Sequence, residues 1–229
     1  MGIPPSLVVV FANTVAAGRC SEAPNNTVVR ELAADNERGE GYDRMKILCL
    51  ENPWRRKNDP MSVRPLLDMI HTMVKVPYSY ERCESANDVQ DIIESYRRRT
   101  SYQVIYLAFH GYDGFVSPGR DDDIDLDTLA DWMDGRYAGR VVHFSSCRTL
   151  NKASAAQHFV ERTGVRMLTG YAHNVDWLLS AGVDLFLLAK MAEAHGKPTK
   201  SQINAVWNHS PELFASLGFV AFDRNGQQF

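Results

Sequence analysis

The stretch VVHFSSCRTL, residues 141–150, decides how the chain is read. Apolar and small residues, interrupted by one histidine, run up to Cys147, and the chain then turns polar at Arg148. An apolar run of this kind suits a strand covered on both faces, as in a parallel sheet flanked by helices. Its end has two readings. Free cysteine is among the most buried residue types, so Cys147 is a small core hydrophobe, or the strand holds a thiol at the rim of a sheet.

Working outward, the same kind of run recurs. MKILCLE (45–51) reads as a buried strand, PYSYERC (77–83) as a more polar one, and YQVIYLAFHG (102–111) as a continuous apolar strand closing on a histidine and a glycine. VRMLTGY (165–171) and GFVAFD (218–223) follow the cysteine as further strands. Helical periods lie between them. Residues 60–76 place Leu66, Leu67, Ile70, Met73 and Val74 on one face, and residues 85–100 carry Ser85 as N-cap with Val89, Ile92, Ile93 and Tyr96 as the apolar stripe. DIDLDTLADWMDG (123–135) is a helix behind an acidic cap, 151–164 a helix closed by Gly164, 175–196 a long amphipathic helix ended by Gly196, and 201–217 further helix. GYDGFVSPGRDDD (111–123) has the composition of a turn or small hairpin. Strands alternating with helices predict an α/β fold, a mostly parallel central sheet with helices on both faces.

In such sheets functional groups gather outside the carboxyl ends of the strands. Two strand patterns end there in reactive residues, one in His110 and the other in Cys147. Set side by side, an imidazole can hold a thiol as thiolate and later protonate a leaving amine, the requirement for acyl transfer near neutral pH. Gly111 has no Cβ, so its N–H can approach a tetrahedral intermediate, and the N–H of Cys147 supplies a second donor.

A strand closing on His-Gly, followed by one closing on a small residue and Cys, resembles the caspase-like cysteine peptidases. AFHG (108–111) with FSSCRT (144–149) is similar in particular to the bacterial CHAT branch, and the likeness runs on through MLTGYAHNVDWLLSAGVDLFLLAKM (167–191) and LGFVAFD (217–223). The resemblance implies a caspase-like three-layer sandwich over residues 45–229. It also implies a cysteine endopeptidase acting on a protein or peptide, with His110 as general base and acid, Cys147 as nucleophile, and Gly111 with Cys147 as oxyanion donors. Members of that group are switched on by a partner protein or ligand within bacterial defence or signalling systems, and no cofactor is implied. Two other readings stand beside it: a non-catalytic caspase-like or flavodoxin-like binding domain, and a different cysteine hydrolase or acyltransferase on the same kind of sheet.

Around this pair, Arg148 follows the nucleophile where such enzymes shape the pocket, and Asp176 with Trp177 forms a carboxylate and aromatic pair suited to a cationic side chain. Asp121, Asp122 and Asp123 read chiefly as solvated loop and cap, and Asp113 as a turn former. His173 is the rival base, whereas His143, inside a doubly covered strand, reads as a satisfied core residue, and Cys49 and Cys83 as structural.

The 229 residues, 45% hydrophobic, allow one main core. A net charge of −3 gives no basic field for nucleic acid or membrane surfaces. The four widely spaced cysteines form no CxxC pair, which argues against a zinc knuckle or a disulfide scaffold, implies no metal, and suits reduced thiols in the cytoplasm. MGIPPSLVVVFANTVAAGRC (1–20) has an apolar run, but no basic residue precedes it and Asn13 and Thr14 break it, a poor match to a signal peptide. Residues 1–44 read as a flexible extension or the product of an upstream start codon.

Overall fold

The computed structural model describes residues 45–53, 61–119 and 122–229. Their order is β1 (Ile47–Glu51), α1 (Arg64–Val74), β2 (Tyr78–Arg82), α2 (Ala86–Tyr96), β3 (Val104–Ala108), β4 (His110–Tyr112), β5 (Phe115–Gly119), β6 (Asp122–Asp125), α3 (Leu126–Met133), β7 (Val141–Phe144), α4 (Ala153–Thr163), β8 (Met167–Tyr171), α5 (Trp177–Glu193), α6 (Lys200–His209), α7 (Pro211–Ser216) and β9 (Phe219–Asp223). The expected N-terminal extension, residues 1–44, lies outside the described residues.

Six strands form one sheet in the order β2-β1-β3-β7-β8-β9, parallel except for β9, which pairs antiparallel with β8. The strands with continuous apolar runs, β1, β3, β7 and β8, are buried along their whole length. Side chains alternate between faces. Leu48, Leu50, Ile105, Leu107, Val142 and Phe144 join Val89 and Ile93 of α2, Leu129 of α3 and Phe159 of α4 in one core. Ile47, Cys49, Val104, Tyr106 and Val141 join Leu67 of α1, Val183 and Leu187 of α5 and Ile203 of α6 in the other. The described chain is therefore an α/β fold built on a mostly parallel six-stranded sheet with helices packed on both sides.

Capping signals fall where the residue types predict them. Ser85 accepts from the N–H of Asp88 at 3.1 Å, Asp125 from that of Thr128 at 2.6 Å, and Gly164 closes α4 with φ of 67°. Other readings are corrected. In α1 the buried side is Leu67 and Ile70, while Met73 is 76% and Val74 46% exposed in its last turn, which ends at a left-handed Lys75. The acidic run is not only loop and cap: Asp122–Asp125 pairs with β5. The last helical stretch divides at Pro211, which has no N–H for a continuing helix.

The largest departure concerns His110. The strand YQVIYLAFHG does not end there: β3 stops at Ala108, and His110 opens β4, the first strand of a separate antiparallel sheet in the order β4-β5-β6. This small sheet stands at the carboxyl edge of the main one. The edge also holds the switch point of the fold, since β2 lies on one side of β1 and β3 on the other.

Candidate functional site at the carboxyl edge of the sheet

The β4–β5 hairpin is set by Asp113 and Gly114, whose φ values of 31° and 93° give the mirror-image turn that the right-handed twist of two strands prefers. Tyr112 then faces Phe115, Gly111 faces Val116 and His110 faces Ser117. Hydrogen-bonded and non-bonded pairs alternate in an antiparallel ladder, and the pair closing a two-residue turn is bonded. Gly111 therefore points its N–H away from β5. One face of the residue rests on the loop after β7: a Cβ at position 111 would come within 2.6 Å of the carbonyl oxygen of Cys147 and 2.9 Å of Cβ of Ser146, and would collide with Oγ1 of Thr149. The residue after His110 is thus in contact with the backbone of Cys147, and His110 itself is exposed.

The loop carrying Cys147 is stitched on every side. Its first residue extends the main ladder, Ser145 donating its N–H to the carbonyl of Leu107 at 2.8 Å. Thr149 donates its hydroxyl to the carbonyl of Phe115 in β5 at 3.0 Å and pairs with Oγ of Ser146 at 2.7 Å. Arg148 takes a φ of 54°, a left-handed conformation rare outside glycine, and its N–H donates to the carbonyl of His173 at 3.0 Å. Its guanidinium meets the Asp113 carboxylate at 2.5 Å, which also accepts from Nδ2 of Asn151 at 2.7 Å. The loop therefore joins the hairpin turn to the segment after β8.

Cys147 is half-buried, and the N–H of Val175 donates to its Sγ at 3.4 Å. The sulfur also lies 4.0 Å from the carbonyl of Val175, to which the thiol can donate. The N–H of Cys147 takes no acceptor among the described residues. The other two thiols of the described residues are unlike it. Cys49 and Cys83 are fully buried, and burial, reinforced by neighbouring acidic groups, drives Cys49 well above the ordinary thiol range and Cys83 up to about 12.

Beneath the loop lies a buried polar network that periodicity did not reveal. Asp184 of α5 accepts from Nε2 of His143 at 2.8 Å and from the hydroxyls of Ser145, Tyr106 and Tyr171 at 2.6 Å each, while Nδ1 of His143 meets Oγ1 of Thr169 at 2.8 Å. Burial alone would raise the Asp184 carboxyl, but the charge of His143 and these hydrogen bonds hold it below its usual range. His143 is accordingly a satisfied core histidine. Its signal in the sequence was an aspartate, Asp184, in the middle of an otherwise apolar helix. Similarly missed is Glu51, which closes the apolar β1 yet is buried and accepts from the N–H of Val63 and the hydroxyl of Ser62, each at 2.7 Å.

The remaining candidates fall as follows. Asp176 is the N-cap of α5, its carboxylate accepting from the N–H groups of Leu178 and Leu179 at 3.0 and 2.9 Å, and Trp177 beside it is half-buried. The arrangement expected for a cationic side chain thus has its carboxylate engaged as a cap. The His173 ring packs on Gly218, next to β9, while the residue's carbonyl accepts from the N–H of Arg148, the residue after Cys147. Asp122 accepts from the N–H of Ala86 at 2.5 Å and Asp123 from the hydroxyls of Tyr112 and Ser117, while Asp121 lies outside the described residues. A cleft of about 370 Å³ between the last turns of α5 and the helices α6 and α7, lined by Phe186, Lys190, Glu193, His209 and Phe214, belongs to the opposite end of α5 from Val175. Among the described residues, no three His, Cys, Asp or Glu side chains gather to hold a metal ion, and no helix is long and apolar enough to cross a membrane.

No curated protein matches the chain. A family model does, over residues 44–220, from the strand before α1 to the start of β9 and so across both His110 and Cys147, and the chain belongs to that family, DUF6642, a family of unknown function.

Proposed function

We propose that the protein is a cysteine peptidase of the caspase-like kind, hydrolysing a peptide bond with Cys147 as nucleophile and His110 as general base and acid. The observation that carries this reading is the contact of Gly111 with the Cys147 backbone, which sets the residue after His110 against the thiol loop. The mostly parallel sheet, its two helical layers and the location of both residues at the carboxyl edge support the caspase-like architecture that the sequence resembles.

In the first half-reaction His110 takes the thiol proton, and sulfur forms a bond to the scissile carbonyl carbon. The oxyanion of the tetrahedral intermediate accepts from the N–H groups of Cys147 and Gly111. The carbon–nitrogen bond breaks as His110 returns the proton to the leaving amine, leaving a thioester. Water, deprotonated by His110, then attacks the thioester carbon; the sulfur–carbon bond breaks, the acid product leaves, and Cys147 regains its proton.

The test is iodoacetamide alkylation of Cys147 between about pH 5 and 9, read by peptide mass spectrometry on the full chain. Alkylation is expected to be fast near neutral pH and to fall by on the order of 10²-fold in His110→Ala, and cleavage of a mixed peptide pool should vanish in Cys147→Ser. A rate indifferent to His110 would remove the dyad and leave a binding role as the reading.

A further inference from the structure

Two large apolar side chains stand in solvent three and four residues along the chain from the residue that meets the thiol. Val175, whose N–H meets Sγ of Cys147, leads directly into α5, and Leu178 and Leu179 in the first turn of that helix are 72% and 49% exposed. With a rise of about 1.5 Å per residue, both lie roughly one turn from the residue that touches sulfur. Helix formation does not account for them. The first turn of a helix favours acidic side chains, which complement its dipole, yet α5 has none there beyond its cap and opens with Trp177, Leu178 and Leu179. On the His110 flank, Tyr112 is 41% exposed and stacks on Phe115 with ring centroids 5.3 Å apart and planes at 16°.

The charged groups near these surfaces are engaged. Asp176 caps α5, Arg148 holds Asp113, and Asp123 accepts from Tyr112 and Ser117. Beside these engaged and still solvated groups, Leu178 and Leu179 present apolar area, which a bound apolar side chain would remove from water. Resting on the peptidase reading above, we infer that the substrate is a peptide bearing an aliphatic or aromatic side chain beside the scissile bond, seated on Leu178 and Leu179.

The experiment compares peptidyl chloromethyl ketones that differ only in the residue next to the electrophile, Leu or Phe against Asp or Lys, by the rate at which each alkylates Cys147 in the full chain. The apolar probes should react at least about tenfold faster, the value of burying one large side chain. That advantage should be lost in Leu178→Ser/Leu179→Ser and reduced in Leu178→Ala, both uncharged changes, with iodoacetamide alkylation of Cys147 unchanged in both. Because both side chains are exposed, the alanine variant preserves the fold and serves as the second readout. Equal rates for all probes, faster reaction of a charged probe, or an apolar preference that survives both variants would overturn the inference while leaving the dyad standing. Failure of iodoacetamide to distinguish wild type from His110→Ala would instead overturn the peptidase reading, and the inference with it.

Discussion

A methyl group at position 111 has no space to enter. It would press on the carbonyl of Cys147, on Ser146 and on Thr149, all fixed by their own hydrogen bonds to β5 and to the segment after β8. Gly111→Ala must therefore push β4 away from the thiol loop. A displacement approaching 1 Å at a reacting centre lowers rate by on the order of 10²-fold, and that loss is expected in His110-dependent alkylation of Cys147. Circular dichroism should retain the native spectrum, since the helices and the six-stranded sheet carry most of the backbone signal. An alanine variant that alkylates like the wild type would mean that the contact does not position His110. This need for glycine was invisible in the sequence, where the residue suggested only an approachable N–H, because the crowding atoms come from residues far along the chain. By contrast, His110 and Cys147 were legible as polar residues closing apolar runs, and the fold sets the strand of the one against the loop of the other. Asp176 was legible as a residue, but its capping role was not drawn from the sequence: an aspartate before an apolar helix caps it, and here it does so with two hydrogen bonds.

At the scale of elements, Asp184 joins α5 to three strands. Tyr106 comes from β3, His143 from β7 and Tyr171 from β8, and Ser145 extends β7 toward the thiol. Both tyrosines are raised well above their ordinary range, first by burial and then by Asp184, so they remain donors to the carboxylate. Removing one member of such a buried charged network costs about 3 kcal/mol or more, the loss expected in urea unfolding of Asp184→Asn at neutral pH. The acid dependence has a definite sign. A carboxyl lower in the folded than in the unfolded chain stabilises the fold above the unfolded value, about 3.9, and that contribution disappears as pH falls through the folded value. Between neutral pH and acid below about pH 4, the stability gap between wild type and Asp184→Asn should narrow. A gap that stays constant or widens would show that the ionised carboxylate is not what the network holds. Alternation of strands and helices revealed the elements that this network connects. It did not reveal the network, because a polar residue on a helix reads as a solvent-facing position until the opposing strands are known.

For the whole molecule, the pattern of buried runs made the parallel sheet readable, since a strand covered on both faces must be apolar throughout. The small β4-β5-β6 sheet was harder: YQVIYLAFHG reads as one strand, and only the pairing of His110 with Ser117 and of Phe115 with Asp125 divides it. The antiparallel turn of β9 was likewise unreadable, because a run of five residues carries no sign of direction. The sheet separates two cores, and each contains a buried cysteine, Cys83 in one and Cys49 in the other. A sheet shared by both layers makes them one cooperative unit, since opening either face exposes the same strands. Pulsed alkylation across a urea series, read by peptide mass spectrometry, should therefore modify Cys147 in the native protein and leave Cys49 and Cys83 protected until the unfolding midpoint, where both become reactive at the same urea concentration. Exposure of Cys83 at a clearly lower concentration than Cys49 would show that the layer of α2, α3 and α4 opens by itself, and would make that side of the sheet, which lies behind the β4–β5 hairpin, a separately unfolding unit.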